Sequence, residues 1–178
     1  MPSGDFEIFL KLDGIDGESA DKQHAKEIDV LSYSDGLSQT AATPVGSGGA
    51  SAGRPTFMSV HFRKAIDKAS VPLLLACAAG QHVKDALFTF RRTGTGAEFY
   101  KVKLTDVLVT AVAQVAGTGE QYPLSFKALD VGADRAGFLD EVTLDYGKIE
   151  WEYQPVGPDG KPGGAVKGGW DLKRNVKI

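Results

Sequence analysis

Apolar and polar residues alternate in the first part of the chain. The apolar positions are Phe6, Ile8, Leu10 and Leu12, and the charged residues Glu7 and Lys11 lie between them. This period of two is typical of a β-strand with one buried face. Residues 13–17 read Asp-Gly-Ile-Asp-Gly, a composition that favours a turn. The chain is therefore predicted to begin with a half-buried strand followed by a turn.

The same alternation recurs and predicts further strands. One covers residues 27–33, where Ile28 and Val30 share a face, and a third follows Arg54 and Pro55, with Met58, Val60 and Phe62 on one side. Others are predicted at residues 86–92, 98–104 and 107–115. The glycine-containing connection at residues 93–96 favours an antiparallel hairpin.

Near the C-terminus the apolar positions change phase. They are even-numbered at Val142, Leu144 and Tyr146 and odd-numbered at Ile149, Trp151 and Tyr153. A β-bulge at Gly147 and Lys148 would keep one face buried. Residues 170–173 can supply a closing strand. The sum of about eight strands predicts a mainly β fold with closed or nearly closed sheets, which leave few exposed edges.

One segment has a helical signature. Ser70 is a good N-cap, Pro72 is acceptable in the first turn, and Gly80 follows the apolar block as a C-terminal cap. A short helix is predicted at about Val71 to Ala79. Because this block is apolar on all sides, we expect the helix to be covered by other elements.

A long segment at about residues 36–55 has no apolar bulk with which to form a core. It carries no charged side chain between Gly36 and Gly53, and residues 40–53 are mainly Ala, Gly, Ser and Thr. Loops of this length are usually functional or mobile. About 14 such residues can extend on the order of 45 Å, at roughly 3.3 Å per residue. We expect the segment to contact a neighbouring subunit; a disordered surface linker is the alternative. The candidate contact residues are Ser34, Asp35, Gly36, Leu37, Thr43, Pro44, Arg54 and Pro55.

Length and charge narrow the class of protein. A chain of 178 residues favours one domain, residues 1–178, with a single core. Its formal net charge of −3 comes from interspersed acids and bases, without the basic cluster of a nucleic-acid-binding protein. The central apolar stretch is too short to span a bilayer, which excludes membrane insertion. The N-terminus has no pattern of a Sec signal peptide, so we expect folding in the cytoplasm and any export by another route.

The sequence offers no arrangement of catalytic, cofactor-binding or metal-ligating residues. His24, His61 and His82 lack a paired ligand spacing, and Cys77 has no partner cysteine. We interpret His61 as a surface or interface residue and Cys77 as a small buried apolar residue. The protein is therefore predicted not to be an enzyme and to need no cofactor.

Several segments together resemble the haemolysin-coregulated protein (Hcp) family of type VI secretion systems. The likeness begins at residues 9–19 with His24, continues through residues 27–32, and includes residues 67–70 with Leu73, Leu74, Cys77 and residues 80–82. Residues 104–109, 146–149, 152–153 and 169–171 follow in family order. Each piece is short, but their combination covers nearly the whole chain.

The resemblance implies a β-barrel-like domain of two antiparallel sheets with one short flanking helix. It also implies a structural subunit that forms homohexameric rings. Such rings stack into the inner tube of a contractile sheath, carry a valine-glycine-repeat spike protein at the tip, and are secreted with effectors to the extracellular space or a target cell. The alternative from another class is a monomeric β-barrel that binds a small ligand or hydrolyses cell-wall sugars.

The chain departs from the family pattern at two places. Residues 33–36 stand where many relatives have a tryptophan, and residues 122–138 form a longer connection than usual. Both departures affect the expected stacking contacts and the surface that faces the lumen.

Overall fold

The computed structural model describes residues 6–39, 53–117, 137–155, 157 and 162–178. These residues form a mainly β fold with one short helix, as predicted. The elements are β1 Phe6–Leu12, β2 Ile28–Val30, β3 Ser32–Ser34, β4 Leu37–Ser38, β5 Thr56–Phe57, β6 Val60–Ala65, α1 Ser70–Ala79, β7 His82–Arg92, β8 Glu98–Gly117, β9 Gly137–Tyr153, β10 Val166–Asp171 and β11 Val176–Lys177.

The strands pair antiparallel and close on themselves. In the main sheet the order is β11, β10, β9, β8, β7, β1, β2, while β6 pairs with both β9 and β3. Because β2 and β3 are consecutive along the chain, the path from β1 through β2 and β3 to β6 returns to β9. The wall is therefore barrel-like. β8 and β9 run side by side through most of its height.

The strand predicted at residues 27–33 is two short strands. Ile28 and Val30 face the core as predicted and pair with β1. At Leu31 the chain leaves β1, and the Leu31 amide instead donates a 2.7 Å hydrogen bond to the Arg63 carbonyl on β6. Tyr33 then lies opposite Phe62. At this break the chain stops pairing with β1 and begins to pair with β6.

The predicted change of phase near Gly147 is present, but the predicted bulge there is wrong. Pairing of β8 with β9 keeps one register on both sides of this point, and the register shift lies between Val109 and Ala111. The register is kept because the buried positions of β8 also change at this level, from even-numbered up to Leu104 to odd-numbered from Val107. Asp106 adopts a φ of 57° at this bend. A Cβ on Gly147 would lie 3.1 Å from Asp106 Oδ2 and 3.2 Å from the Asp106 Cβ, so a larger residue here would push the Asp106 side chain aside by a few tenths of an ångström.

Neighbouring predicted segments merge into two long strands. The segments predicted at 98–104 and 107–115 are one strand, β8, and those around Val142 and Ile149 are one strand, β9. The closing strand is β10 followed by a short β11, whereas the sequence predicted only residues 170–173.

The third predicted strand begins later than expected. Met58 lies outside β6 and is 53% exposed, whereas Val60 and Phe62 are buried. The next inward position on β6 is Lys64, which has no exposed surface. The start of β9 places Asp140 opposite Lys64.

The helix has nearly the predicted bounds but a different start and environment. Ser70 is its first residue, Ala69 occupies the N-cap position, and Gly80 ends the helix with a φ of 60°. Leu73 and Ala76 pack against the core, but Val71 and Leu75 are about two-thirds exposed, so the prediction of a covered helix is wrong. Within the described residues, no helix has the length and apolarity to cross a membrane.

Candidate assembly surface

The predicted contact residues flank a short two-stranded stem. Leu37 pairs with Phe57, and Ser38 pairs with Thr56, so the segment at 36–55 is anchored at both ends by backbone hydrogen bonds. Ser34 ends β3, Asp35 is exposed, and the Gly36 carbonyl accepts a 2.8 Å hydrogen bond from the Met58 amide. Arg54 and Pro55 lie just before β5. Thr43 and Pro44 lie outside the described residues.

The stem is attached to the barrel near the end of strand β10. Arg54 Nη2 donates a 2.6 Å hydrogen bond to the Leu172 carbonyl, which follows β10. The Phe57 ring lies 6.4 Å from the Trp170 ring, centroid to centroid. The Tyr146 hydroxyl donates to the Met58 carbonyl at 3.0 Å. The stem is therefore held at a fixed place on the barrel.

Two large apolar side chains of this region remain in solvent. Leu37 on β4 is 52% exposed, and Met58, directly after β5, is 53% exposed. Beside them, burial and, to a smaller extent, the carboxylates of Asp35 and Asp145 raise the pKa of Tyr146 to about 12. Tyr146 therefore stays a hydrogen-bond donor at neutral pH.

The helix presents a second apolar surface, which the sequence interpretation missed. Val71 is 63% exposed and Leu75 is 64% exposed, and they lie four residues apart on one helix face. Leu73 and Ala76 occupy the buried face. The i, i+4 spacing of Val71 and Leu75 was the available signal, but an all-apolar block gives no indication of which side is covered.

A buried polar network holds the start of the helix to the barrel. Lys64 Nζ donates to Asp140 Oδ2 at 2.8 Å, to Ser70 Oγ at 2.9 Å and to the Ala65 carbonyl at 2.9 Å, and it lies 2.7 Å from Asp67 Oδ1. Burial opposes ionisation of Asp140, but hydrogen bonds from Lys64 and Ser70 outweigh it and hold the pKa of this carboxyl below its usual range.

The network contains a serine and a lysine in contact, the pairing that some hydrolases use for nucleophilic catalysis. Its environment differs from that of a reactive pair. Lys64 is fully buried between two carboxylates, and Ser70 is 2% exposed. The Ser70 hydroxyl also accepts a hydrogen bond from the Asp67 amide. The arrangement connects β6, β9 and α1 and leaves no approach for a substrate at Ser70.

The histidines and the cysteine lie in separate environments. His24 is buried on the outer face of β1, where its ring stacks on Phe9 at 4.1 Å and its Nδ1 lies 2.9 Å from Glu27. His61 is exposed on the polar face of β6, as predicted, and Cys77 is half-buried against the core. His82 contacts Asp106. In the part of the chain that the structure describes, no three His, Cys, Asp or Glu side chains are grouped to hold a metal ion.

Comparison with known proteins identifies the family of the chain. The family model described as "Type VI secretion system effector, Hcp" matches residues 9–153. The chain belongs to the Hcp family of type VI secretion tube proteins. It is 37% identical over 174 residues to Protein hcp1 of Pseudomonas aeruginosa, covering 96% of this chain and 98% of that protein.

Solved structures agree with this assignment. One described as a type six secretion system protein matches with a TM-score of 0.83 and 29% identity, over 97% of this chain and 99% of its own. Hcp1 of Salmonella typhimurium matches with a TM-score of 0.73 and 30% identity, over 98% of this chain and 100% of its own. The Hcp resemblance and the mainly β fold are thereby confirmed.

Proposed function

We propose that this chain is a ring-forming tube subunit of a type VI secretion system, assembling as a homohexamer whose rings stack into the inner tube. The observation that carries the proposal is the match to the Hcp family across most of the chain, with a fold that aligns over 97% of its length. The Hcp family consists of structural, secreted proteins of this apparatus. This chain acts by assembly and not by catalysis.

The surface of the described residues suits repeated contacts between subunits. Leu37 and Met58 extend one apolar surface at the stem, and Val71 and Leu75 extend another on the helix. Burial of such side chains stabilises association by about 25 cal/mol per Å² of apolar area before the entropy cost of binding. In the ring, residues Ser34 to Leu37 and Arg54 to Pro55 contact a neighbouring subunit, together with the connecting residues Thr43 and Pro44.

The proposed partners follow from this position in the apparatus. The outer surface of the stacked rings faces sheath proteins, a valine-glycine-repeat spike protein caps the tube, and effectors travel in or with it. The protein assembles in the cytoplasm and is secreted to the extracellular space or a target cell without a Sec signal. Co-purification of sheath, spike or effector proteins with tagged chain from secreting cells tests these contacts.

Native mass spectrometry with negative-stain microscopy tests the ring. The expected result is a species of six chains and a ring-shaped particle. Leu37→Asp should weaken the ring because it places a charge in an apolar contact, whereas Thr95→Asp in the exposed β7–β8 turn is the matched control. A protein that remains monomeric at high concentration would refute the proposal and favour a monomeric ligand-binding or hydrolytic barrel.

A further inference from the structure

The described part of the stem makes few contacts of its own. Strands β4 and β5 pair there over two residues each, and a two-stranded hairpin of that size is marginally stable in water. Its direction therefore depends on contacts with the barrel. One such contact comes from β9, where the Tyr146 hydroxyl donates to the Met58 carbonyl at 3.0 Å. Residues that make these contacts decide where the exposed side chains of Leu37 and Met58 point.

Two further contacts join the stem to the C-terminal hairpin, residues 169–178, in which β10 turns back into β11. Arg54 Nη2 donates a 2.6 Å hydrogen bond to the Leu172 carbonyl, and the Phe57 ring lies 6.4 Å from the Trp170 ring. A hydrogen bond from a guanidinium is roughly twice as strong as one between neutral groups. The C-terminal hairpin is therefore a main support of the stem.

The C-terminal hairpin holds the Leu172 carbonyl in place without help from the stem. The Leu172 amide donates a 2.9 Å hydrogen bond to the Gly147 carbonyl on β9. Asp171 is 2% exposed and accepts a 2.9 Å hydrogen bond from the Arg174 amide, which closes the turn. Asn175 then adopts a φ of 54°, in the left-handed region that asparagine tolerates better than most residues. The oxygen that the stem binds is thus fixed by the turn itself.

We propose that the C-terminal hairpin is a clamp that sets the direction of the stem, with Arg54 as the residue through which it acts. The clamp fixes where Leu37 and Met58 are offered to a second copy of the chain. This last step rests on the proposed function, whereas the clamp itself joins two parts of one subunit. Arg54 and Leu172 are 118 residues apart in the sequence, so the segment that makes contacts and the segment that positions it are encoded separately.

Two variants break the clamp from opposite sides. Arg54→Met removes the hydrogen-bond donor and keeps an unbranched side chain. Asn175→Pro leaves every stem residue unchanged, but proline fixes φ at about −65° and cannot adopt the 54° of this turn. The matched control for the second is Asn175→Gly, because glycine adopts positive φ readily. The control for the first is Lys84→Met, which removes an exposed cation on β7.

Hydrogen exchange at high dilution, read by mass spectrometry with fragmentation to single amides, measures the effect. The reporter is the Met58 amide, which donates to the Gly36 carbonyl at the base of the stem. The reference is the Leu31 amide, which donates to the Arg63 carbonyl in the barrel wall. Each variant should speed exchange at Met58 by about tenfold, as expected for the loss of one hydrogen bond to a charged group, and leave Leu31 unchanged. Both changes together should add little to either alone, because they break the same contact.

Exchange at Met58 that stays at the wild-type rate in both variants would overturn the clamp, as would equal acceleration in the two controls. If Leu31 also exchanges faster in one variant, its barrel is destabilised and the other variant decides the result.

Native mass spectra of the same variants test the step to assembly. Fewer rings in the variants whose stem exchanges faster would support it, whereas rings that persist would overturn it. A wild-type chain without rings would overturn the proposed function and leave the clamp standing.

Discussion

Replacing Lys64 with methionine tests whether the buried network stabilises the barrel. The change removes the cation that lies 2.8 Å from Asp140 Oδ2 and 2.7 Å from Asp67 Oδ1. Removing one partner of a buried ion pair costs about 3–5 kcal/mol, because a charge remains without compensation. For a domain with about 5–15 kcal/mol of stability, this is a large fraction of the total.

Urea unfolding of wild type and variants measures the effect. All samples are compared at one protein concentration, because self-association would raise the apparent stability. The control is Lys101→Met, which breaks an ion pair with Glu98 whose side chains are 37% and 31% exposed. Exposed pairs contribute about 0–1 kcal/mol. The double variant Lys64→Met with Asp140→Leu should lie nearer to wild type than Lys64→Met, since an apolar pair can replace a buried ion pair. A Lys64→Met variant as stable as the control would refute this reasoning.

Three further results are expected. The pKa of Asp140 is lower in the folded state than its unfolded value of about 3.9, so ionised Asp140 stabilises the fold above that value. This part of the free energy of unfolding is lost as the pH falls through the lower folded pKa. Urea unfolding from pH 7 to 3 should show the loss, and Asp140→Asn should make it smaller. Deleting Thr43 to Ser51 should leave the thermal melt of the dissociated subunit nearly unchanged and weaken assembly in sedimentation velocity, whereas wild-type assembly would contradict a contact role. Single changes His61→Gln and Cys77→Ser should leave secretion intact at matched protein level, and complete loss with normal folding would indicate chemistry at that residue.

The period of two predicted the strands because it records which side chains face the core. It succeeded for β1 at Ile8, Leu10 and Leu12, which are all buried. It did not reveal that Phe9, on the outer face, is 4% exposed. Phe9 is covered by the His24 ring and by the Arg91 guanidinium, 4.7 Å from its centroid. Those residues are distant in sequence, and only the folded chain brings them together.

Lys64 shows the same limit for a polar residue. It continues the inward alternation of Val60 and Phe62, but the predicted apolar face ended at Phe62 and did not include it. Its charge argued for solvent, because lysine is almost never fully buried unless it is paired. The pair is Asp140, 76 residues away, and no local signal connects the two. A lysine in phase with buried neighbours is therefore a useful sign of a buried partner.

The bend of β8 and β9 shows why register could not be predicted from one strand. The apolar phase of β9 alone indicated an extra residue at Gly147 and Lys148, since a bulge on a single strand is the simplest explanation. Pairing keeps its register because β8 changes phase at the same level, with Asp106 in the left-handed region. Two coordinated changes produce the same sequence pattern as one bulge.

The assembly surface is the least predictable part because it depends on where topology places distant segments. Asp16 and Lys177 are separated by most of the chain, and the overall charge pattern is interspersed. The row of paired residues from Ile15 to Lys177 links these two segments through β1, β7, β8, β9 and β10, a path that no local sequence pattern reveals. Which exposed charges lie on which surface is therefore decided by strand pairing over long distances in the chain.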